Sequence, residues 1–524
     1  MRQGLHPMRF RASRSAFLCL PSLLACVACG DDAPIYPPIV IIYGGGSGSA
    51  GPSGTGNGTG NETNNPTPSG GDSSTGGSSS NAGSGSDPST SGLFAHCGTF
   101  LSGAEPKVQT ACDLDQLEDG GELKGDVSAD RTLETGHFYT LKGGVRVMPG
   151  KTLTIEPCVK VIGENPDAVL VVTSSTLGDP KKSCTYDGGS MTPGGKLVAV
   201  GEPMAPIVFT SAKPVGQRSA GDWGGVMLLG NAQNDLAQAN VRVPIEGLAK
   251  SECHGYHTGE FNEESSGELA YVRIEYASRQ VSTANETNGL TFGSVGSGTK
   301  VHYVEVSNSA DDCFEWFGGT VNADHLIALN CDDDEFDGDN GYAGKLQFLF
   351  GRQYTKSTEA DPRGLEITQG NGVKNMLTKM QVANATLCGQ GPNAKDTFEH
   401  GGAYFNDTPN VQVLNTFITG FSRYGVWVDG GSVQLSYTRM FAQLPLFGQV
   451  GQASWEAGTG NSSEDPDRFC NCWANPPAPV PATPVAGGEP VGFGDENAKY
   501  VGAFADATAD SNWMKGSWVD WSDR

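Results

Sequence analysis

The 524-residue sequence predicts an all-β chain, a right-handed parallel β-helix preceded by a disordered stalk. Three observations predict it. Many runs of strand length are separated by Gly, Asn and Asp turns, no amphipathic helical stripe extends beyond a turn or two, and the chain repeats. The repeat decides, because short strands alone fit a sandwich or a propeller equally well. With a shift of 22 residues, Asp311 falls on Asp333, Asp312 on Asp334, Phe314 on Phe336 and Glu315 on Asp337. The preceding strands align as well, Val304 over Leu326 and Val306 over Ala328. A coil of that length lets each strand pair with its counterpart in the next coil at about 4.8 Å. Two weaker echoes support the same reading, 314–321 with 426–433 and 271–274 with 303–306.

From the N-terminus, Arg2, Arg9, Arg11 and Arg14 precede an apolar run over 16–24 that ends in Leu23-Leu24-Ala25-Cys26. That pattern is a cleaved signal over 1–25, since the run is too short for the ~20 residues of a membrane span. A small residue before Cys is what lipoprotein processing reads. Leu23 favours Cys26 as the lipidated residue, and Gly30-Asp31-Asp32 favours Cys29. Several acyl chains anchor a protein stably where one does not. The mature N-terminus covers 26–43. A linker over 44–92 follows, almost wholly Gly, Ser, Thr, Asn and Pro, with only Glu62, Asp72 and Asp87 charged. Such a composition cannot bury a core, and as a flexible coil it reaches about 40 Å.

The folded part divides into an N-terminal cap region over 93–136, the β-helix over 137–446 and a Pro-rich, cysteine-bearing loop over 447–499. An aromatic C-terminal cap over 500–524 completes it. Trp513, Trp518 and Trp521 with Tyr500 and Phe504 are expected to cover the last coil and its unpaired edge. Segments 174–195, 230–267, 351–363 and 385–401 read as loops off the coils, where partner contacts concentrate.

With 59 Asp+Glu against 34 Lys+Arg the net charge is −25, which excludes nucleic acid and anionic lipid surfaces as partners. The expected partners are the membrane, through the lipid anchor, and polysaccharide or another envelope protein. Export favours disulfides, with Cys97, Cys112, Cys158, Cys184, Cys253, Cys388, Cys470 and Cys472 as candidates. The short spacings suggest Cys97 with Cys112 and Cys158 with Cys184. Cys470 and Cys472 are expected to reach different partners, Cys253 and Cys388.

A family resemblance rests on the succession Gly221-Asp222-Trp223-Gly224-Gly225, Ile245-Glu246-Gly247-Leu248, the stretches 269–277 and 288–299, and Asp311-Asp312-Cys313-Phe314-Glu315-Trp316-Phe317-Gly318-Gly319. Tyr500-Val501-Gly502-Ala503-Phe504 ends the pattern. From about residue 137 onward the chain resembles a family of bacterial outer-membrane and surface lipoproteins with parallel β-helix repeats. The forty-eight-kilodalton spirochaete lipoprotein and proteins of gliding and predatory bacteria are of that kind. The resemblance implies a fold and an outer-membrane location, on the periplasmic or the cell-surface side, and no chemistry. Cys313, where glycine is commoner, and the cysteine-bearing loops depart from it.

The densest polar cluster is Asp311, Asp312, Glu315, Asp333, Asp334, Glu335 and Asp337. Stacked coils bring these like charges within about 5 Å, which costs energy unless a cation binds or protons are taken up. Hard oxygen ligands in that number suit Ca²⁺. An EF-hand is excluded, because Gly344 stands where its closing Glu belongs. Asp311-Asp312-Cys313 also resembles the Asp-Asp-Cys segment of β-helical polygalacturonases, in which paired carboxylates act as acid and base. No Gly-His-Gly or Arg-x-Lys follows; the nearest is Glu399-His400-Gly401-Gly402. Cys253-His254-Gly255-Tyr256-His257 has spacing that zinc can use, with Cys470 and Cys472 as further thiolates. The first functional reading is therefore a calcium-stabilised envelope lipoprotein with a non-catalytic binding or structural role. The second is a β-helical polysaccharide hydrolase or lyase using the acidic coils.

Metabolic labelling with a fatty-acid analogue should tag the wild-type chain, and Cys26→Ser with Cys29→Ser should abolish the label and release the protein. Label retained in the double variant contradicts the anchor.

Overall fold

A computed structural model describes residues 112–175, 193–236, 242–249, 253–282, 285–353, 362–369, 377–390, 400–441, 447, 451–463, 472, 484–490, 495–505 and 512–521. The expected signal, Cys26, Cys29, the stalk, Cys97, Cys184 and Cys470 lie outside them. Among the described residues no helix is long and apolar enough to cross a membrane.

Among the described residues, twenty-two strands wind into one continuous parallel sheet, the parallel β-helix expected from the repeat. Each coil contributes three strand segments, so the solenoid has three long faces. The first face runs through Val226–Leu229, Leu290–Gly293, Phe314–Phe317, Phe336–Asp339 and Arg363–Thr368, then through the first parts of Gly401–Leu414 and Tyr424–Ser436. The 22-residue register is met residue for residue, with Glu315 paired to Asp337 and Val304 to Leu326. Winding begins earlier than the sequence suggested, since Glu118–Val127, inside the supposed N-terminal cap region, already pairs in parallel with His137–Val147.

Stacked pairing fixes what fills the inside. Side chains alternate in and out along a strand, so one column of identical positions points inward through every coil. Phe314 stacks on Phe336 at 5.5 Å between ring centroids, and Phe292 on Trp316 at 5.2 Å. The next rung of the Trp316 column is Gly338, and the space it leaves is taken by Tyr342, stacked on Trp316, and by Met380. All four rings of the first two pairs are fully buried.

The bend between the second and third faces is made by a single residue in the left-handed conformation. Tyr271, Tyr303, His325, Phe348, Asn384, Asn415 and Tyr437 occupy it in successive coils, with φ between 50° and 59°. A non-glycine residue there costs about 1–2 kcal/mol. Stacking offsets the cost: Tyr271 on Tyr303 at 4.6 Å, Tyr303 on His325 at 4.2 Å, His325 on Phe348 at 4.6 Å. Asn308 and Asn330 make the next corner in the same way, joined by a 2.9 Å side-chain hydrogen bond.

The C-terminal aromatic segment does not close the last coil. It lies as a strap along the outside of the third face, whose outward column passes from Arg273 and Glu305 to the apolar Ile327 and Phe350. Ile327, Leu329 and Phe350 point outward into a cluster with Phe504, Met514 and Trp518. The Trp518 ring stands edge-on to Tyr271 and Tyr303, and the Trp513 ring edge-on to His325. Arg273 donates to the Ser517 carbonyl at 2.9 Å, and the Thr386 hydroxyl accepts from the Ala503 amide at 2.9 Å. Closure of the last coil falls instead to the short helix Gly451–Ala457, whose Trp455 packs with Phe447 against the core.

Disulfides join Cys112 to Cys158, Cys313 to Cys331 and Cys388 to Cys472. The suggested pairs Cys97–Cys112 and Cys158–Cys184 are therefore replaced by Cys112–Cys158, while Cys388 does take one of the two closely spaced thiols. Cys253 is also disulfide-bonded. This removes the zinc reading, since Cys253 and Cys472 are not thiolates. His257, moreover, is buried against the Ser294 hydroxyl at 2.8 Å, with its pKa lowered to about 3 by burial.

Candidate acidic cleft on the first face

The outward column of the first face is Thr291, Glu315, Asp337, Glu366, Tyr404 and Trp427, one rung per coil. Three consecutive rungs are carboxylates. At the corner just before them, Asp312 accepts from the Asp334 amide at 2.8 Å and Asp334 from the Arg363 amide at 2.6 Å. Asp312 and Asp334 thus act as links between coils as well as charges. Oxygen atoms of Asp311, Asp312 and Asp333 lie within 4.8 Å of one another, and so do those of Asp312, Glu315 and Asp337.

Five of the seven predicted ligands are brought together in this way. Asp334 turns instead toward Arg363, whose guanidinium stands 3.9 Å away and also pairs with Glu366. Glu335 leaves the cluster altogether. It is buried beside Gly351, whose register partners Ala328 and Leu387 are core residues, and its Oε1 finds no partner. The Asp-Asp-Asp-Glu run reads as one acidic patch in sequence, but Glu335 stands in the corner before the strand Phe336–Asp339 and takes the inward place that Cys313 holds one coil earlier.

Two carboxyl groups come from the segment 230–267, off the coils. Glu246 is hydrogen-bonded to Glu315, which is hydrogen-bonded in turn to Asp337. The buried Asn288 amide donates to both Glu315 and Glu246, the latter at 3.3 Å. Asp235 accepts from Gln369 at 2.7 Å and faces Asp339. Neither Glu246 nor Asp235 carries a periodic signal. Glu246 does sit in the Ile245-Glu246-Gly247-Leu248 motif, which marked the position without saying what it touched.

Burial raises Glu246, Asp235, Asp312, Glu315, Asp334 and Asp337, and neighbouring carboxylates add to it. Glu246 is pushed from 4.5 up to about 7, and Asp235 from 3.8 to about 6, each mainly by burial. Asp312, Glu315, Asp334 and Asp337 are raised well above the ordinary carboxylate range, again by burial first and by one another second. Protons shared between adjacent carboxyls are how such a stack avoids the repulsion.

The pectate-lyase-like beta helix domain matches residues 125–444, more than half of the chain. The chain belongs to this β-helix family. No curated protein matches it. Among solved structures, the catalytic domain of a GH87 alpha-1,3-glucanase in complex with tetrasaccharides is similar at 10% identity and a TM-score of 0.22. That match covers 62% of this chain and 64% of the glucanase chain, so the chain spans under two thirds of it. The Family 28 exopolygalacturonase of Yersinia enterocolitica is similar at 11% identity and a TM-score of 0.16, covering 67% of this chain and 72% of that one.

A carboxyl whose folded pKa is raised binds its proton more tightly folded than unfolded. Its contribution is therefore complete below the unfolded value and lost as pH climbs through the folded one. For Glu246 that window runs from 4.5 to about 7. The melting temperature should fall across it, and Glu246→Gln should flatten the fall. Identical slopes for wild type and variant would contradict the buried pair.

Proposed function

We propose that this chain is an envelope-anchored β-helix protein that cleaves polysaccharide with the carboxyl groups of its first face. The observation that carries the reading is the chain of hydrogen-bonded carboxyls Glu246, Glu315 and Asp337, contributed by a loop and by two successive coils. An acid with a pKa near neutrality can give its proton to a departing glycosidic oxygen, and glycoside hydrolysis needs that acid beside a second, ionised carboxylate. Glu246 fits the first role. Glu366, held by the Arg363 guanidinium two rungs of about 5 Å from Glu315, fits the second, near the wider separation of inverting enzymes. Membership in a pectate-lyase-like family supports this enzyme reading over the non-catalytic one.

Calcium remains part of the proposal, favoured by the second group of close oxygens. Asp311, Asp312 and Asp333 form it at the corner, one step from the proton-sharing pair. A cation there would offset the corner repulsion and leave Glu246 and Glu315 to the chemistry. Lipid attachment at Cys26 or Cys29, with the stalk over 44–92, would hold the cleft away from the membrane, within reach of envelope or external glycans.

Purified protein should release new reducing ends from polysaccharide, and Glu246→Gln should lower that rate by about 10²–10⁴-fold, the usual worth of a general acid. Appearance of 4,5-unsaturated products would move the assignment from hydrolase to lyase. Full activity in Glu246→Gln would remove Glu246 from it, and loss of activity in chelator would place calcium in the working state.

A further inference from the structure

Resting on the glycan-cleaving reading, we infer that the acidic cleft takes a polymer bearing free amino groups, of the glucosamine type, with its ammonium groups seated on successive carboxylate rungs. The first support is charge. Asp235, Glu246, Asp311, Asp312, Glu315, Asp333, Asp334, Asp337, Asp339 and Glu366 converge on one stretch of the first face. Among the described residues Arg363 pairs with two of them, Glu366 and Asp334. A polyuronate laid along this face without a bridging cation would meet carboxylate with carboxylate.

The second support is independent of the charge count. Two polar atoms on fully buried side chains of the cleft have no partner: Oδ1 of Asn288, whose amide nitrogen bonds Glu315 and Glu246, and Oδ1 of Asp235 beside Asp339. Oδ1 of Asp337 is a third unpartnered buried atom. All three are acceptors. A buried acceptor without a donor is costly, so the missing group is one that brings several donors and positive charge. An ammonium group offers three N–H donors and one charge, whereas a carboxylate offers neither. The period also fits, because rungs recur at about 4.8 Å, close to the length of one pyranose unit, and Glu315, Asp337 and Glu366 follow one another without a gap.

Calorimetric titration of the full chain, with reducing ends followed in the same samples, tests this with three probes. They are a glucosamine oligomer, the same oligomer N-acetylated, and an oligogalacturonate, each with and without Ca²⁺. The glucosamine oligomer should bind at least about tenfold tighter than its N-acetylated form, the worth of one charge-assisted hydrogen bond, and more weakly as salt rises. Asp337→Asn and Glu366→Gln should each weaken the glucosamine oligomer about tenfold and the N-acetylated oligomer less. Equal affinity for the free and acetylated amines, preference for oligogalacturonate in either condition, or no binding of any probe would overturn the inference. Amine-selective binding without new reducing ends would leave the inference standing and remove the cleavage reading. Cleavage without amine preference would do the reverse.

Discussion

Parallel stacking at about 4.8 Å per coil is the constraint on which the rest of this molecule depends. Each coil's strand pairs in register with the next, so any side chain meets its counterpart one rung away, and each column must tolerate its own repetition. Inside, the solution is ring on ring, with Phe314 on Phe336 and Phe292 on Trp316. At the bend between the second and third faces the same rule stacks Tyr271, Tyr303, His325 and Phe348, so that contact between neighbours offsets a backbone strain repeated in every coil. On the outside of the first face the rule stacks Glu315, Asp337 and Glu366, where repetition is unfavourable. Protons, a cation or a ligand must then do what dispersion does in the core.

The three faces consequently have different fates. The third turns Ile327, Leu329 and Phe350 outward beneath the C-terminal strap, and Cys472, bonded to Cys388, joins the same cluster. The first carries the carboxyl ladder and receives Glu246 and Asp235 from outside the coils. Beside that ladder the Cys313–Cys331 disulfide ties the two corners whose aspartates link successive coils. Fixing the corner keeps Asp312 and Asp334 on the amides of the following coil, and with them the approach of Glu315 to Asp337. The cross-link stabilises an arrangement that its own charges oppose.

What could be read in the sequence follows from the same constraint. A shift of 22 residues was enough to place Asp311 to Glu315 over Asp333 to Asp337, because stacked register is a property of the chain's own periodicity. Periodicity says nothing about segments that leave the coil, so the contact of Glu246 with Glu315 and of Asp235 with Gln369 was not legible. Glu335 falls outside the patch because it lies in the corner before the strand, at the position that Cys313 also buries one coil earlier. The strap was readable in retrospect: Leu326-Ile327-Ala328-Leu329 and Phe348-Leu349-Phe350 are continuous apolar runs, the mark of strands covered on both sides, rather than the alternation of a strand that faces water. Cys313 and Cys331 escaped pairing because Cys313 aligns with Glu335 in the repeat, and the bond forms across the corner, 18 residues apart.

The central claim is that carboxyl groups from successive coils and a loop converge and share protons near neutral pH. Infrared titration of the protonated carboxylic-acid carbonyl band tests it without reference to any substrate. The account predicts a band that persists above the ordinary carboxylate range, disappears with a midpoint near the value of about 7 given to Glu246, and weakens in Glu246→Gln. A chain whose carboxyls have all ionised below about pH 5, the range of ordinary aspartate and glutamate, would contradict it.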